Sequence, residues 1–311
     1  MSNEGHNIEI GTLTGSGTLI GDGQWILGGN DANFYLSTEI GVTSARTDPY
    51  GTTIPVSASK LTKTGTGKMT MMTLGKLNAV LTVEKGTVSF NEAKLETYVN
   101  GQNMTTVKDG GRIVGQGKMQ TVQLQSGSEM IPCGSYINET TPGTIKTTAL
   151  LNAMEGSVVN FLFNNNKQST LQPMMLTMNG TVKVTLLNGY TPQEGDEFTL
   201  WTTTSTYKGT PTFQLPQLPA GMAWDTSQVA QKTGVLKVVA AEVVKGDVNG
   251  DNVVDVADIA AILGVMAGTA ENYRTTADVN DDGQVDVADI AAVLNRMAEL
   301  ARLAQSESND K

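Results

Sequence analysis

Two stretches near the C-terminal end of this chain are copies of one another. With residues 247 to 268 set over residues 278 to 299, an offset of 31, 15 of the 22 positions are identical. Such a duplication narrows the possible folds sharply, because each copy is one small structural unit that buries its apolar face only against the other. The acidic half of each copy has a fixed spacing. The first reads Asp247, Asn249, Asp251, Val253, Asp255, Asp258, and the second reads Asp278, Asn280, Asp282, Gln284, Asp286, Asp289.

Counted from the first Asp, these are positions 1, 3, 5, 7, 9 and 12 of an EF-hand loop. A calcium ion takes about six to eight hard oxygens. A loop whose alternate side chains turn inward supplies them from positions 1, 3 and 5, with a main-chain carbonyl from position 7, which is all that Val253 and Gln284 need to give. Position 9 ligates through a water, and position 12 closes the shell from the first turn of the next helix, here with Asp258 and Asp289 in place of the usual Glu. Position 6 turns sharply and suits glycine, which the second copy has as Gly283; the first has Asn252, the best non-glycine visitor to that backbone region, at some cost to the first site. The spacing therefore predicts two bound Ca2+.

An apolar helix follows each loop. Val256, Ile259, Ala260, Leu263 and Met266 in one, and Val287, Ile290, Ala291, Leu294 and Met297 in the other, are spaced to form one stripe per helix, and the two stripes are expected to pack together. Helices this short are marginal alone, so the unit is expected to lose its structure without metal. Charge distribution agrees. Residues 246 to 311 carry thirteen acids against four bases, whereas residues 1 to 245 carry eighteen against seventeen. Almost the whole net charge of −10 sits in the duplicated tail, where a cation would offset it.

From about residue 246 to 300 the sequence resembles the type I dockerins, whose paired loop-helix repeats follow Asp-x-Asn-x-Asp-Gly-x-x-Asn/Asp-x-x-Asp. The resemblance implies two halves related by a pseudo-twofold, calcium-dependent attachment to a cohesin-type partner, and partner contacts from loop positions 10 and 11. Those positions are Val256 and Ala257, and Val287 and Ala288, joined on the partner face by Leu263, Leu294 and Arg296. They are apolar where cellulosomal dockerins carry hydroxyls, which implies an apolar partner surface; the alternative is that Val256 and Val287 are core residues. Since both copies carry the same pair, the resemblance implies two docking orientations.

Residues 1 to 245 read differently. Abundant glycine, few aromatics and recurrent Thr and Val point to short strands with tight turns. Thr14-Gly15-Ser16-Gly17, Thr64-Gly65-Thr66-Gly67 and Val114-Gly115-Gln116-Gly117 recur at an interval of 50 and are read as turns ahead of strands. Between Ala79 and Phe90, Val80, Thr82 and Glu84 face one way and Leu81 and Val83 the other, with a turn at Lys85-Gly86. A unit of this length holds about two coils of a parallel β-helix. Leu61, Lys63, Gly65, Gly67, Met69 and Thr70, followed by Leu81, Val83, Gly86 and Val88, resemble the autotransporter-associated β-strand repeat of bacterial passenger regions. That resemblance implies a right-handed β-helix exposed outside a bacterial cell; a β-sandwich is the alternative. Further strands are predicted at Val158 to Phe163, Met174 to Met178, Val182 to Leu187, Phe198 to Thr202 and Val235 to Val239, as an antiparallel section that caps the solenoid.

The expected fold class is mainly β, a right-handed parallel β-helix with an antiparallel end, plus a small α-helical dockerin domain with two EF-hand-like loops. The expected domains are 1–145, 146–240 and 246–303, with a disordered tail at 304–311. One cysteine, Cys133, excludes an intrachain disulfide and is read as a small buried hydrophobe. His6 is the only histidine, which excludes His-centred catalytic triads and His-rich zinc sites. Nucleic acid is not an expected partner. No run of 18 apolar residues exists, and Met1-Ser2-Asn3-Glu4 leads into strand-like sequence without an export signal, so the chain reads as an excised or mature piece of an extracellular or cell-surface protein.

Catalysis within this chain is disfavoured. Glycoside hydrolysis needs two nearby carboxylates, and here only Glu194, Asp196 and Glu197 cluster, in a turn; Glu92, Glu96 and Arg112 are a second candidate set. No catalytic residue is assigned; if the chain is an enzyme, polysaccharide lyase or glycoside hydrolase is the class. The preferred function is a non-catalytic β stalk carrying a docking module. One alternative is a glycan-binding or glycan-cleaving component of a cellulosome-like assembly, with Trp25, Trp201 and Trp224 as stacking candidates that otherwise belong to the core. Another is a calcium-dependent cap on the chain's own β region.

Overall fold

The computed structural model describes the chain except residues 43–44, 56–57, 73–77, 91–103, 135–138, 166, 220, 242–243, 252 and 310–311, and except the side chains of 46, 303–304 and 306–309. It divides into two compact units: Met1–Leu218 with Trp224–Val238, and Pro219–Ala223 with Val239–Lys311.

The first unit is mainly β, with two principal sheets. From Gln24 onward, successive long strands fall alternately in one sheet and the other. Gln24–Leu27, Ser59–Lys63, Ala79–Val83, Met104–Val107, Thr121–Leu124, Thr144–Ala153, Thr170–Met178 and Glu197–Thr202 are neighbours in the first. Phe34–Leu36, Lys68–Met71, Gly86–Phe90, Gly111–Gly115, Glu129–Pro132, Val158–Asn164, Thr181–Leu186 and Thr212–Gln214 are neighbours in the second. Each strand pairs in parallel with the one before and after it in its own sheet, as in Leu61↔Leu81↔Thr105 and Met69↔Val88↔Ile113.

Alternation then builds the core. In the first sheet the register runs Leu27↔Lys63↔Val83↔Val107↔Leu124↔Ala153↔Met178, and every member of this column is buried. Side chains of one strand therefore pack on those of the next, and the stack supplies its own interior. One lysine sits among the apolar residues. Lys63 is fully buried and donates from Nζ to the carbonyls of Thr64 (2.5 Å), Gly65 (2.8 Å) and Lys85 (3.3 Å). Burial disfavours its ammonium and pulls its pKa down to about 8, with Asp31 opposing the shift. Glycine is required where the turns of neighbouring strands touch: Gly86 has φ +70°, and a Cβ there would lie 2.5 Å from the Gly65 carbonyl oxygen.

The structure corrects three expectations. The glycine motifs spaced at 50 are not equivalent: Thr64 to Gly67 joins the first sheet to the second, whereas Gly115 to Gly117 joins the second back to the first. Strand pairs advance unevenly instead, because loops of different length leave the parallel register intact. Secondly, residues 146 to 240 are not an antiparallel section throughout. Thr144–Ala153 with Thr170–Met178 and Val158–Asn164 with Thr181–Leu186 still pair in parallel, since their inward columns continue the earlier ones. Antiparallel pairing in this section includes Lys167–Gln168 folding back on Val158–Asn164 and Thr233–Ala240 against Glu197–Thr202. Thirdly, the last helix runs to Asn309, into the stretch expected to be disordered, because Ala, Leu, Arg and Gln favour helix there.

An aromatic cluster fills the far end of the first unit. Phe163 stacks on Phe198 with centroids 4.2 Å apart, and Trp201 stacks on Tyr207 at 5.8 Å. Trp25 and Trp201 are fully buried, and Trp224 donates to the Pro216 carbonyl, so two of the three tryptophans serve the core. Cys133 is buried, as its reading as a hydrophobe requires. The acidic turn is also occupied. Tyr190 Oη and the Gln193 N–H donate to Asp196, and Lys237 pairs with Glu197. Arg112 pairs with Glu129 (2.6 Å) and Glu139 (2.8 Å); its other expected neighbours, Glu92 and Glu96, lie outside the described residues.

The second unit holds helices α1 (Val256–Met266), α2 (Arg274–Ala277) and α3 (Val287–Asn309). Its core is small: Val248, Val254, Ala261, Ile262, Val265, Ala277, Val279 and Val293.

Candidate metal centre

Each acidic loop is organised around its position-12 aspartate. Asp258 is fully buried, and its Oδ1 accepts from the Val248 N–H (2.7 Å) and the Asn249 N–H (3.1 Å) while its Oδ2 accepts from the Asp255 N–H (2.9 Å). Asp289 does the same with Val279 (2.8 Å), Asn280 (3.1 Å) and Asp286 (2.9 Å). Three N–H donors per carboxylate offset the cost of burying a charge-bearing group. They also join the start of each loop to its end.

The remaining contacts repeat in the same way. Asn249 Oδ1 accepts from the Asp251 N–H and Asn280 Oδ1 from the Asp282 N–H, both at 2.9 Å. Asp251 takes the Val253 N–H (2.8 Å) and Asp282 the Gln284 N–H (2.9 Å). Asp255 and Asp286 each accept from the N–H two residues on, Ala257 and Ala288, at 2.7 Å. Asp247 receives the Gly250 and Asp251 N–H groups, and Asp278 those of Asp282 and Gly283. Asp255 thus caps α1, with Asp258 completing a reciprocal capping box. The short Asp side chain at position 12 sets this tight start to the helix.

Backbone conformation adds a position that the spacing alone does not reveal. Position 4 is left-handed in both copies, Gly250 at φ +77° and Asp281 at φ +62°, as is Gly283 at position 6. Asn252, the residue at position 6 of the first copy, lies outside the described residues. Two cross-links between the copies were also not legible: Thr276, just before the second loop, donates to the Val248 carbonyl in the first (2.8 Å), and Lys245, just before the first loop, pairs with Asp281 in the second (2.6 Å).

The donor set suits a hard cation. An ionised carboxylate offers about four acceptor sites, and the three loop N–H groups held by Asp258 and by Asp289 leave room on each. Among the described residues, no three carboxylates draw together closely enough to hold a metal by themselves. A cation bound to these loops would draw on Asn oxygens and main-chain carbonyls beside the carboxylates, a set that calcium accepts.

Residues 245–298 match the family model of the dockerin type I domain. The C-terminal unit carries a dockerin domain. Such domains bind calcium and dock cohesins in cellulosome-like assemblies, and the proteins that carry them are typically extracellular or on the cell surface. No curated protein matches the chain. No helix among the described residues is long and apolar enough to cross a membrane.

The dockerin helices also correct the expected packing stripe. In α1 the buried residues are Asp258, Ala261, Ile262 and Val265, while Val256, Ala260, Leu263 and Met266 face solvent; of the expected stripes, Ile259, Ile290 and Met297 do pack against the core. The helix is apolar nearly all round, so periodicity fits two faces equally well. Burial of Asp258 breaks the tie by fixing which face turns inward. Exposure repeats between the copies: Val256 and Val287 are each 69 % exposed, and Leu263 and Leu294 each 50 %. Val256 and Val287 are therefore not core residues, and Ala257 and Ala288 are exposed beside them. Arg296 does not join this face. It lies half a helical circumference from Val287, is half-buried, and pairs with Glu299 at 2.7 Å.

Proposed function

We propose that this chain is a docking component: a right-handed parallel β-helix stalk, carried outside a bacterial cell, whose dockerin binds two calcium ions and attaches the stalk to a cohesin-type partner. The ligands in this reading are Asp247, Asn249, Asp251, Asp255 and Asp258, with the carbonyl of Val253, and Asp278, Asn280, Asp282, Asp286 and Asp289, with the carbonyl of Gln284. The observation that carries it is that the buried position-12 aspartate of each loop accepts the same three N–H groups, those of positions 2, 3 and 9, in both copies. Strands that alternate between two parallel sheets support the stalk.

The partner face in this reading is the exposed apolar stripe of each copy, Val256, Ala257 and Leu263 in one and Val287, Ala288 and Leu294 in the other. Equal exposure in both copies supports attachment in either of two orientations. The test is calorimetric titration with calcium, followed by capture on an immobilised cohesin with calcium and with chelator. Two calcium ions per chain and calcium-dependent capture are expected; a chain that takes up none, or is captured equally in chelator, refutes the reading.

A further inference from the structure

The first sheet has a defect in its middle. Thr170–Met178 is an interior strand, yet it contains Pro173, which has no N–H to give to the ladder. Both neighbours bow away from it. On one side the register passes from Thr147↔Pro173 to Leu150↔Met175, so the Thr144–Ala153 strand spends one residue more than its partner. On the other side it passes from Leu171↔Trp201 to Met175↔Thr206, and again the neighbour has one residue more. Paired bulges of this kind re-aim side chains.

Between them lies an open trough of about 570 Å³, lined by Lys146, Thr148, Gln172, Met174, Thr202 and Thr204 together with Thr147 and Pro173. Its chemistry is unusual for a sheet face. Most of the lining is hydroxyl or amide, and no carboxylate belongs to it. Lys146, Thr148, Gln172, Met174, Thr202 and Thr204 are exposed, and Thr147 and Thr203, which alternate with them, are buried. Lys146 stands directly opposite Lys118 in the parallel register.

We infer that this trough binds an acidic sugar, a uronic-acid unit of a polysaccharide, with its carboxylate on Lys146 and its hydroxyls on Gln172, Thr148, Thr202 and Thr204. A peptide would require apolar anchors or a free strand edge, and the trough offers only Met174 and an interior strand. A nucleic acid would require a broad basic surface, and this one has two adjacent lysines. A sugar matches a dense set of neutral donors and acceptors around a single cationic end.

The site is independent of the docking reading and is tested on the full chain by calorimetric titration with trigalacturonate, maltotriose and triglutamate at one salt concentration. Saturable binding of trigalacturonate alone is expected, weakened at least fivefold by Lys146→Ala and by Gln172→Ala, with thermal melting unchanged. Lys60→Ala removes the same charge from an exposed position elsewhere on this sheet and is expected to leave affinity intact. Absence of trigalacturonate binding, equal binding of triglutamate, full affinity in Lys146→Ala, or equal loss in Lys60→Ala would each overturn the assignment.

Discussion

In the β region a buried residue such as Leu81 is held by its partners in register, Leu61 on one side and Thr105 on the other, whereas in the dockerin the comparable buried residue, Asp258, is held by the loop that it closes. The first arrangement propagates. Each strand buries the one before it, so apolar columns extend across the sheet and no ion is needed to complete them. The second is local, with a core of eight small residues that leaves little apolar burial to offset the entropy of ordering the loops. What it adds is a charge-bearing network waiting for a counter-charge. A chain that joins the two kinds of unit is expected to respond to metal in one part and not in the other.

Chelation is the strongest way to break this contrast. In calcium the chain is expected to melt in two transitions, and in chelator the dockerin transition is expected to vanish while that of the β region stays where it was. Each occupied site contributes about 2.7 kcal/mol when free calcium is a hundredfold above the dissociation constant. A β-region transition that shifts as far as the dockerin one would mean that the contrast is false. Next in size is Asp258→Ala, which orphans the N–H groups of Val248, Asn249 and Asp255 and is expected to cost the dockerin about 3 kcal/mol or more. Denaturant melts of the calcium-loaded protein and of the variant at the same free calcium measure the loss. A core truncation sharpens the same point: Ile262→Ala is expected to remove about 3 kcal/mol from the dockerin, and Phe161→Ala about 4 kcal/mol from the β region, each leaving the other transition in place.

A pH scan separates the units without mutation. The buried Lys63 has its pKa drawn down to about 8 in the folded chain, against 10.5 when exposed. Between those values the unfolded chain binds more protons than the folded one, so β-region stability is expected to rise with pH above about 8. Tyr190 and Tyr207, both pushed up to about 12 by burial, act in the opposite direction above their ordinary value of 10. The rise is therefore confined to the window from about pH 8 to pH 10. Lys63→Met is expected to flatten it, as read from melting temperature against pH; an unchanged slope would show that Lys63 is not its source.

Legibility in the sequence followed the kind of order that each unit uses. The dockerin could be read, because the spacing of its acidic residues is local and is written twice. Strands such as Ala79–Val83 could be read from period-two alternation. Their partners could not, since Leu61↔Leu81 and Val122↔Leu151 depend on loop lengths that alternation does not encode. Helix α1 failed for another reason. Its residues are apolar on both sides, and only the inward turn of an aspartate decides which side is covered. Arg296 looked like a partner contact by its place in the repeat, yet the helical angle carries it to the other side. Pro173 was invisible as a site because a proline in an apolar run signals the end of a strand, not a break in the middle of a sheet.

That ambiguity in α1 gives the smallest expected effect on stability and the most direct test of the partner face. Val256 and Leu263 are apolar, but their exposure means that replacing both with Ser removes little buried area and is expected to cost the dockerin no more than about 1.5 kcal/mol. Their counterparts Val287 and Leu294 have the same exposure and the same expectation. If either copy can serve the partner, altering one pair is expected to leave cohesin capture nearly intact, and altering both pairs to abolish it while the loaded dockerin still melts cooperatively. If α1 instead buried the stripe that periodicity first suggested, a single pair of substitutions would cost several kcal/mol, since each truncated side chain would leave a cavity. Melting and capture measured on the same three proteins therefore distinguish a face that packs from a face that docks.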